Sequence, residues 1–569
     1  MSKSRGLMIA ALLLLVAASL GVRGPMALSG GVLVMDFGGD IPEYTTESVL
    51  TRLLGQEEPL MIDKIECLQA AAHDPEVRAV VARISDAKYE FAKAQELRDA
   101  ILDFRKSGKP VAAYLELEGG GNIEYYVASA CDKIYLNPAS ILGLIGLSSR
   151  HYYLGGVWDK LYLDVQVDQI KEYKSAADMI GRKDMSAAER EMDNAILDSE
   201  YDQFTRGIAA GRGVSQDTVK SWIDAAWLTP DKYVAAKAVD GLKYLDEVAD
   251  EVGGKDHEAM IEESDYFQRP TGKVHKGGKG INVAVVFGVG NIMSGQEGQT
   301  FGASAEIASD AMVRRLTKAL EDDTVRAVIF RIDSGGGSAL ASDVIWRATQ
   351  QVKAGKPIVV SMSDVAGSGG YYIACGASSI VAQPGTITGS IGILTVRPSL
   401  GRLLKKAGVG SETLTRGKFA DLDGYDHPLD EAGLARTHDG IAALYDLFTR
   451  RVSAGRGLSQ ARVNEIGRGR VYTGEQAKEL GLVDRLGGFD AAEAEVRRLL
   501  SEPEDKEINL IYKREKVTLW KMLTGKTEER LLNDLLSPDE RELMGALRQD
   551  RTWKPGQPLA LMPGAFSIH

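Results

Sequence analysis

The residues of this 569-residue chain best suited to chemistry lie in two glycine-rich turns. One reads Ala366-Gly367-Ser368-Gly369-Gly370 and opens onto the apolar stretch Tyr371-Tyr372-Ile373-Ala374. A serine at a glycine-lined strand-to-helix turn has two uses. Its Oγ can attack a carbonyl, with the glycines admitting a substrate backbone and the Gly369 N–H stabilising an oxyanion. It can also cap the following helix, a position serine favours strongly. The segment is not a G-x-S-x-G elbow. The other turn, Asp333-Ser334-Gly335-Gly336-Gly337-Ser338, follows a β-branched run ending near Ile332. It could cradle a phosphate, but no Lys-Ser/Thr follows to hold a nucleotide. It could instead bring a backbone N–H to a substrate carbonyl.

The elements that must position these turns occur twice. Val77-Arg78-Ala79-Val80 recurs as Val325-Arg326-Ala327-Val328, and Gly108-Lys109-Pro110 as Gly355-Lys356-Pro357. Tyr125-Tyr126-Val127-Ala128 recurs as Tyr371-Tyr372-Ile373-Ala374, and Gly211-Arg212-Gly213 as Gly455-Arg456-Gly457. The offsets are 248, 247, 246 and 244 residues, which marks one duplicated domain rather than scattered coincidences. Each unit is large enough to own a core. Residues 77–84 and 325–332 read as strands, 91–104 and 342–352 as helices, 111–117 and 358–362 again as strands. This alternation predicts an α/β fold of βαβ units around a largely parallel sheet in each repeat. The expected boundaries are 1–30 for a targeting segment and short linker, 31–251 for the first repeat, 252–280 for a linker, 281–502 for the second repeat and 503–569 for a C-terminal extension. In that charged extension, 538–547 reads as a short helix with Ser537 as N-cap.

The copies differ where chemistry would sit. Aligning Tyr126 with Tyr372 places Ser368 opposite Asn122. The turn at 333–338 falls opposite Ser85-Asp86-Ala87-Lys88, which has no glycine. Both candidate features therefore belong to the second repeat alone.

Composition removes other classes. With 44% hydrophobic and 26% charged residues, the chain is neither globally disordered nor collagen-like. A net charge of -12 argues against a dedicated nucleic-acid binder. Cys67, Cys131 and Cys375 are too few for a disulfide framework and lack zinc spacing, so they read as small buried hydrophobes. The seven histidines are scattered without H-E-x-x-H, and neither metal nor cofactor is expected. At the N-terminus, Lys3 and Arg5 precede an uncharged apolar run over 6–22, closed by Arg23. This is a targeting segment, somewhat short against the ~20 residues of a spanning helix. It reads as a single-pass N-terminal membrane anchor helix with the basic end in the cytoplasm and the rest of the chain exported. The small residues Ala17-Ala18-Ser19 also fit a cleaved signal peptide.

On these motifs the chain resembles the signal peptide peptidase A (protease IV) family in its long, tandem-repeat form. The turn at 333–338 is similar to the family's N-S-P-G-G-S, with Asp333 for Asn and Gly335 for Pro. Gly367-Ser368-Gly369-Gly370-Tyr371-Tyr372 resembles its nucleophile segment, and Thr388-Gly389-Ser390-Ile391-Gly392 its T-G-S-I-G. The resemblance implies a Clp-protease/crotonase-like fold for each repeat. It implies a membrane-anchored serine endopeptidase that degrades cleaved signal peptides and other unfolded exported polypeptides through an acyl-enzyme. It implies Ser368 as nucleophile and Lys174, in Tyr173-Lys174-Ser175-Ala176, as a general base donated by the first repeat. Ser390 would orient the lysine, and Gly369 with Gly337, or Gly336, would supply the oxyanion N–H groups. A lysine serves as base only when neutral, so burial must draw its pKa down from about 10.4. Lys418, 244 residues beyond Lys174, holds the repeat-equivalent place and is the alternative base. The family likeness further implies a homotetramer at the bacterial inner membrane, its catalytic part on the periplasmic side. Two other functions stay open: an inactive scaffold or membrane-protein partner, and a crotonase-like acyl-CoA enzyme, which needs the oxyanion N–H groups but no serine.

Overall fold

The computed structural model of the chain describes residues 30–45, 47–48, 59–255, 259–267, 280–296, 306–512, 516–517 and 558–562. The central strands are near-continuous apolar runs, such as Val-Arg-Ala-Val-Val-Ala-Arg-Ile over Val77–Ile84 and Ala-Val-Ile-Phe-Arg-Ile-Asp-Ser over Ala327–Ser334. Runs of that kind suit parallel strands covered on both faces, and parallel pairing follows. The first sheet orders its strands Gly241–Leu242, Lys133–Leu136, Val111–Leu115, Val77–Ile84, Gly31–Asp36 and Met260–Glu262, all parallel. The second orders Val471–Thr473, Ile387–Gly389, Ile358–Gly367, Ala327–Ser334, Ile281–Val289 and Ile508–Ile511, parallel except at the first pair. Helices Phe91–Arg105 and Ala339–Gly355 make the corresponding crossovers in the two repeats.

Two expected boundaries shift. The linker supplies the strand Met260–Glu262 to the first sheet, and the extension supplies Ile508–Ile511 to the second. Each apolar segment completes a sheet edge, which linker-like composition hid. The expected anchor helix, over the apolar run 6–22, and the helix over 538–547 lie outside the described residues. Among the described residues no helix is long and apolar enough to cross a membrane.

The repeats are welded rather than strung together. One apolar cluster joins Leu33, Leu97 and Phe204 of the first repeat to Val283, Ile329, Val359 and Phe489 of the second. Each fully buried side chain of this size contributes about 1.5–3 kcal/mol. Arg331, fully buried in the second sheet, donates to Glu43 at 2.9 and 2.7 Å and to Glu96 at 2.5 Å, both carboxylates of the first repeat. A third sheet crosses the join. Its order is Glu306–Ala308, Asn291–Met293, Gly336–Ser338, Leu559–Leu561, Leu394–Ser399 and Asp164–Gln169. Asp164–Gln169 belongs to the first repeat and pairs antiparallel with Leu394–Ser399 of the second, from Leu394 with Gln169 to Ser399 with Asp164.

Candidate active site

Ser368 stands between the strand Ile358–Gly367 and the helix Gly369–Ala374. Its φ of 52° and ψ of -111° are costly for a residue with a Cβ, and such strain persists only where surroundings enforce it. They do. The Ser368 N–H donates to Gly389 O at 2.8 Å, and a Cβ at Gly370 would lie 2.4 Å from Ser334 O. Of the two uses open to this serine, capping is not taken: its side chain makes no cap hydrogen bond. Its Oγ lies 2.7 Å from Lys174 Nζ instead.

Lys174 reaches Ser368 because the cross-repeat strand pair delivers it. Beyond Gln169 the chain stays tied to the second repeat through Ile170 N–H to Ile393 O at 2.9 Å and Tyr173 N–H to Arg468 O at 3.2 Å. Glycine is required here. A Cβ at Gly469 would lie 2.5 Å from Lys174 N, and one at Gly392 would lie 3.0 Å from Lys174 Cδ. The ammonium group is fully buried, and burial alone holds its pKa well below the usual lysine value. Nζ lies 2.9 Å from both Ser390 O and Ser390 Oγ. A neutral amine has two N–H bonds and one lone pair. Ser390 accepts the two N–H bonds, which leaves the lone pair for the Ser368 O–H.

The glycine turn of the second repeat meets the serine from the other side. A Cβ at Gly336, with φ of 105°, would lie 2.6 Å from Gly369 N. Gly337, with φ of 150°, turns toward the neighbouring strand, where a Cβ would lie 2.2 Å from Ile292 O. Gly336 is thus the residue of the turn that abuts the Gly369 amide. Lys418 is placed elsewhere: it is exposed, with Nζ 5.2 Å from the Phe419 ring centroid, and makes no contact with Ser368. Asn122, the counterpart of Ser368, donates to Gly146 O at 2.8 Å and accepts from Ile145 N–H at 3.2 Å, so it pins a loop. The three cysteines are buried thiols. Among the described residues, the His-carboxylate groups close enough to share an ion, His151-Glu189-Asp193 and Asp421-Asp426-His427, include none of the residues around Ser368.

Two features escaped the sequence reading. The C-terminal Leu559–Leu561 forms a strand antiparallel to Gly336–Ser338, pairing Gly336 with Leu561 and Gly337 with Ala560. Met562 N–H donates to Gly335 O at 2.8 Å. Its side chain packs with Met192 and Ile196 of the first repeat and Ile387 and Val471 of the second. The signal available was Leu559-Ala560-Leu561-Met562, an apolar run inside a charged tail. The second is Ser175, wholly buried beside Lys174 with no hydrogen-bond partner for its Oγ.

Comparisons with known proteins bear on the family of the chain. The family model described as peptidase family S49 matches residues 103–256 and again 350–501. A chloroplastic serine protease SPPA of Arabidopsis thaliana is 33% identical over 78% of this chain and 66% of its own length. A protease 4 of Haemophilus influenzae is 30% identical over 87% of this chain and 84% of its own. Among solved structures, a ClpP1 mutant of Listeria monocytogenes covers 37% of this chain and 94% of its own at 15% identity, with a TM-score of 0.24, too slight a likeness to argue from. With both repeats matched and protease relatives aligned along most of its length, the chain belongs to peptidase family S49 and is a serine-type endopeptidase.

Proposed function

We propose that Ser368 and Lys174 form the catalytic dyad of this peptidase and that it cleaves extended, apolar polypeptide segments, cleaved signal peptides among them. The observation that carries the reading is the 2.7 Å approach of a buried lysine, with no counter-ion among the described residues, to a strained serine Oγ. Neutral Lys174 takes the Oγ proton as Oγ attacks the scissile carbonyl. The resulting oxyanion is held by the Gly369 N–H and by the turn at Gly336 and Gly337. As the C–N bond breaks, the lysine ammonium returns the proton to the leaving amine. The neutral Lys174 amine, regenerated in that step, then deprotonates the water that hydrolyses the acyl-enzyme. Ser390 holds the lysine in line throughout.

The strand formed by Leu559–Leu561 indicates how a substrate lies. An extended peptide adds to the edge of Gly336–Ser338 by main-chain hydrogen bonds, and a side chain enters the apolar pocket that Met562 fills. Such a groove suits an unfolded apolar segment and not a folded surface. In the same proposal each repeat has the Clp-protease/crotonase-like form, the segment over 1–30 anchors the enzyme at the bacterial inner membrane with the catalytic part exported, and four copies assemble.

Hydrolysis of a quenched apolar signal-like peptide tests the dyad. Ser368→Ala and Lys174→Ala are each expected to lower kcat by about 10³-fold or more, with Lys418→Ala near the unsubstituted rate. Activity that survives Ser368→Ala removes the nucleophile assignment. Loss in Lys418→Ala with Lys174→Ala active moves the base into the second repeat.

A further inference from the structure

The first repeat places a second lysine against the catalytic half. Lys93, in the first turn of helix Phe91–Arg105, is buried, with Nζ 3.4 Å from Asp333 Oδ2 and 3.7 Å from Asp364 Oδ2. Asp364 also accepts from the Lys93 backbone N–H at 2.8 Å and from the Glu90 N–H at 3.3 Å, so this helix begins on a carboxylate of the other repeat.

Asp333 is a joint between the two turns of the active site. It lies where the register between Ala327–Ser334 and Ile358–Gly367 slips, so the ladder there lacks a regular acceptor. The Asp333 carboxylate supplies one, taking the Val365 N–H at 3.1 Å, while its own carbonyl takes the Gly290 N–H at 2.9 Å. One side of this residue leads directly to Ser334, whose Oγ accepts the Gly336 N–H at 3.2 Å. The strand it clamps runs on to Ser368. The spacing between the Gly336 turn and the Gly369 amide is therefore set at Asp333.

A buried carboxylate in that place needs a counter-charge. Asp364 and Glu43 are also buried nearby, so the local excess is negative. Burial works against the Lys93 charge, but Asp333, Asp364 and Glu43 outweigh it and keep the ammonium protonated. Without that ammonium, Asp333 and Asp364 repel across the bulge, and the strand ends that carry the two turns part. Glu43 is shared with Arg331, which also pairs with Glu96 and makes no ion pair with Asp333 among the described residues.

We propose that Lys93 is a positioning residue for the peptidase: through Asp333 it fixes the oxyanion-binding turn against Ser368, so the first repeat supplies the geometry of the oxyanion site as well as the base. This rests on the dyad reading above.

The test uses the full chain, a quenched apolar peptide, and two inhibitors of one sequence, a peptide aldehyde and the matching peptide alcohol. Ser368 Oγ adds to the aldehyde carbon, its proton passes to Lys174, and the new oxyanion faces the turn; the alcohol only fills the groove. Lys93→Met is expected to lower kcat by about 100-fold, the order seen when one oxyanion donor is lost, with KM little changed. Aldehyde affinity should fall in step and alcohol affinity should hold. Adding Asp333→Asn, which removes the uncompensated charge and keeps the shape, should raise kcat from that of Lys93→Met to that of Asp333→Asn alone. A double variant as slow as Lys93→Met, or aldehyde and alcohol affinities that fall together, overturns the proposal. If Lys93→Met does not fold, Asp333→Asn alone carries the test. It is expected to fold and to lose aldehyde affinity selectively, and unchanged affinity overturns the proposal. Absence of aldehyde binding by the unsubstituted chain would overturn the dyad reading first and this inference with it.

Discussion

In the proposed dyad, Lys174 would serve as a base for the same reason that it is expensive to fold. Its amine is buried with no opposing charge among the described residues, so burial holds its folded pKa well below the ordinary lysine value, while the unfolded chain binds a proton there up to about pH 10.4. The folded pKa is depressed, so over that interval the unfolded state binds more protons and is favoured. The penalty shrinks as pH rises toward the ordinary lysine value. Two outcomes follow at this scale. Turnover should climb with pH through the lowered pKa of Lys174, as a kcat/KM profile would record. Lys174→Met, which keeps the packing and removes the titrating group, should abolish turnover yet raise Tm at neutral pH, with the gain fading as pH approaches 10.4. A Tm that falls at neutral pH would mean that the amine stabilises the fold.

At the scale of elements, the site depends on turns that only glycine can make. Gly336 has a φ of 105°, and a Cβ there would lie 2.0 Å from Ala560 O and 2.6 Å from Gly369 N. Neither neighbour is a flexible side-chain tip, so relief requires the turn to move away from Ser368. Gly336→Ala is expected to cut kcat by about 10²–10³-fold, the cost of misplacing one oxyanion donor, while far-UV circular dichroism stays unchanged. Much of this element was legible: the glycine run follows an apolar strand, and the first repeat lacks it. The bulge at Asp333 was not, because a register slip leaves no mark on a strand's own residues. The strands Met260–Glu262 and Ile508–Ile511 were read as linker and tail for a similar reason. Short edge strands gain their identity from the sheet they join.

At the scale of the whole molecule, the repeats share one apolar cluster and one cross-repeat sheet, and the chain's own C-terminal strand lies on the edge that an extended substrate would use. In the proposed binding mode, strand and substrate would compete for the same main-chain groups of Gly336–Ser338. A chain ending at residue 557 is therefore expected to hydrolyse the quenched peptide with a lower KM and unchanged kcat. A synthetic Pro-Leu-Ala-Leu-Met peptide, the sequence of residues 558–562, should restore the higher apparent KM. Identical kinetics in the two chains would show that the strand leaves the edge freely in solution.

The sequence by itself determined the duplication, the alternation of strand and helix, and the confinement of a glycine-set serine to the second repeat. Each of these is a local property: a repeated string, a period, or a residue with φ above zero. It did not determine which lysine meets Ser368. Lys174 and Lys418 occupy equivalent places in the repeat, and only tertiary structure separates them. Antiparallel pairing of Asp164–Gln169 with Leu394–Ser399 carries one lysine into the core, while the other is left exposed beside Phe419. The ordinary pKa of a lysine says nothing of this, because the lowered pKa that the proposed base needs comes from removal of water by residues distant in the chain. The same holds for Lys93 and Asp333, and for Met192 and Ile196 around Met562. Their roles arise at the interface of two copies that evolved different surfaces from one repeated pattern.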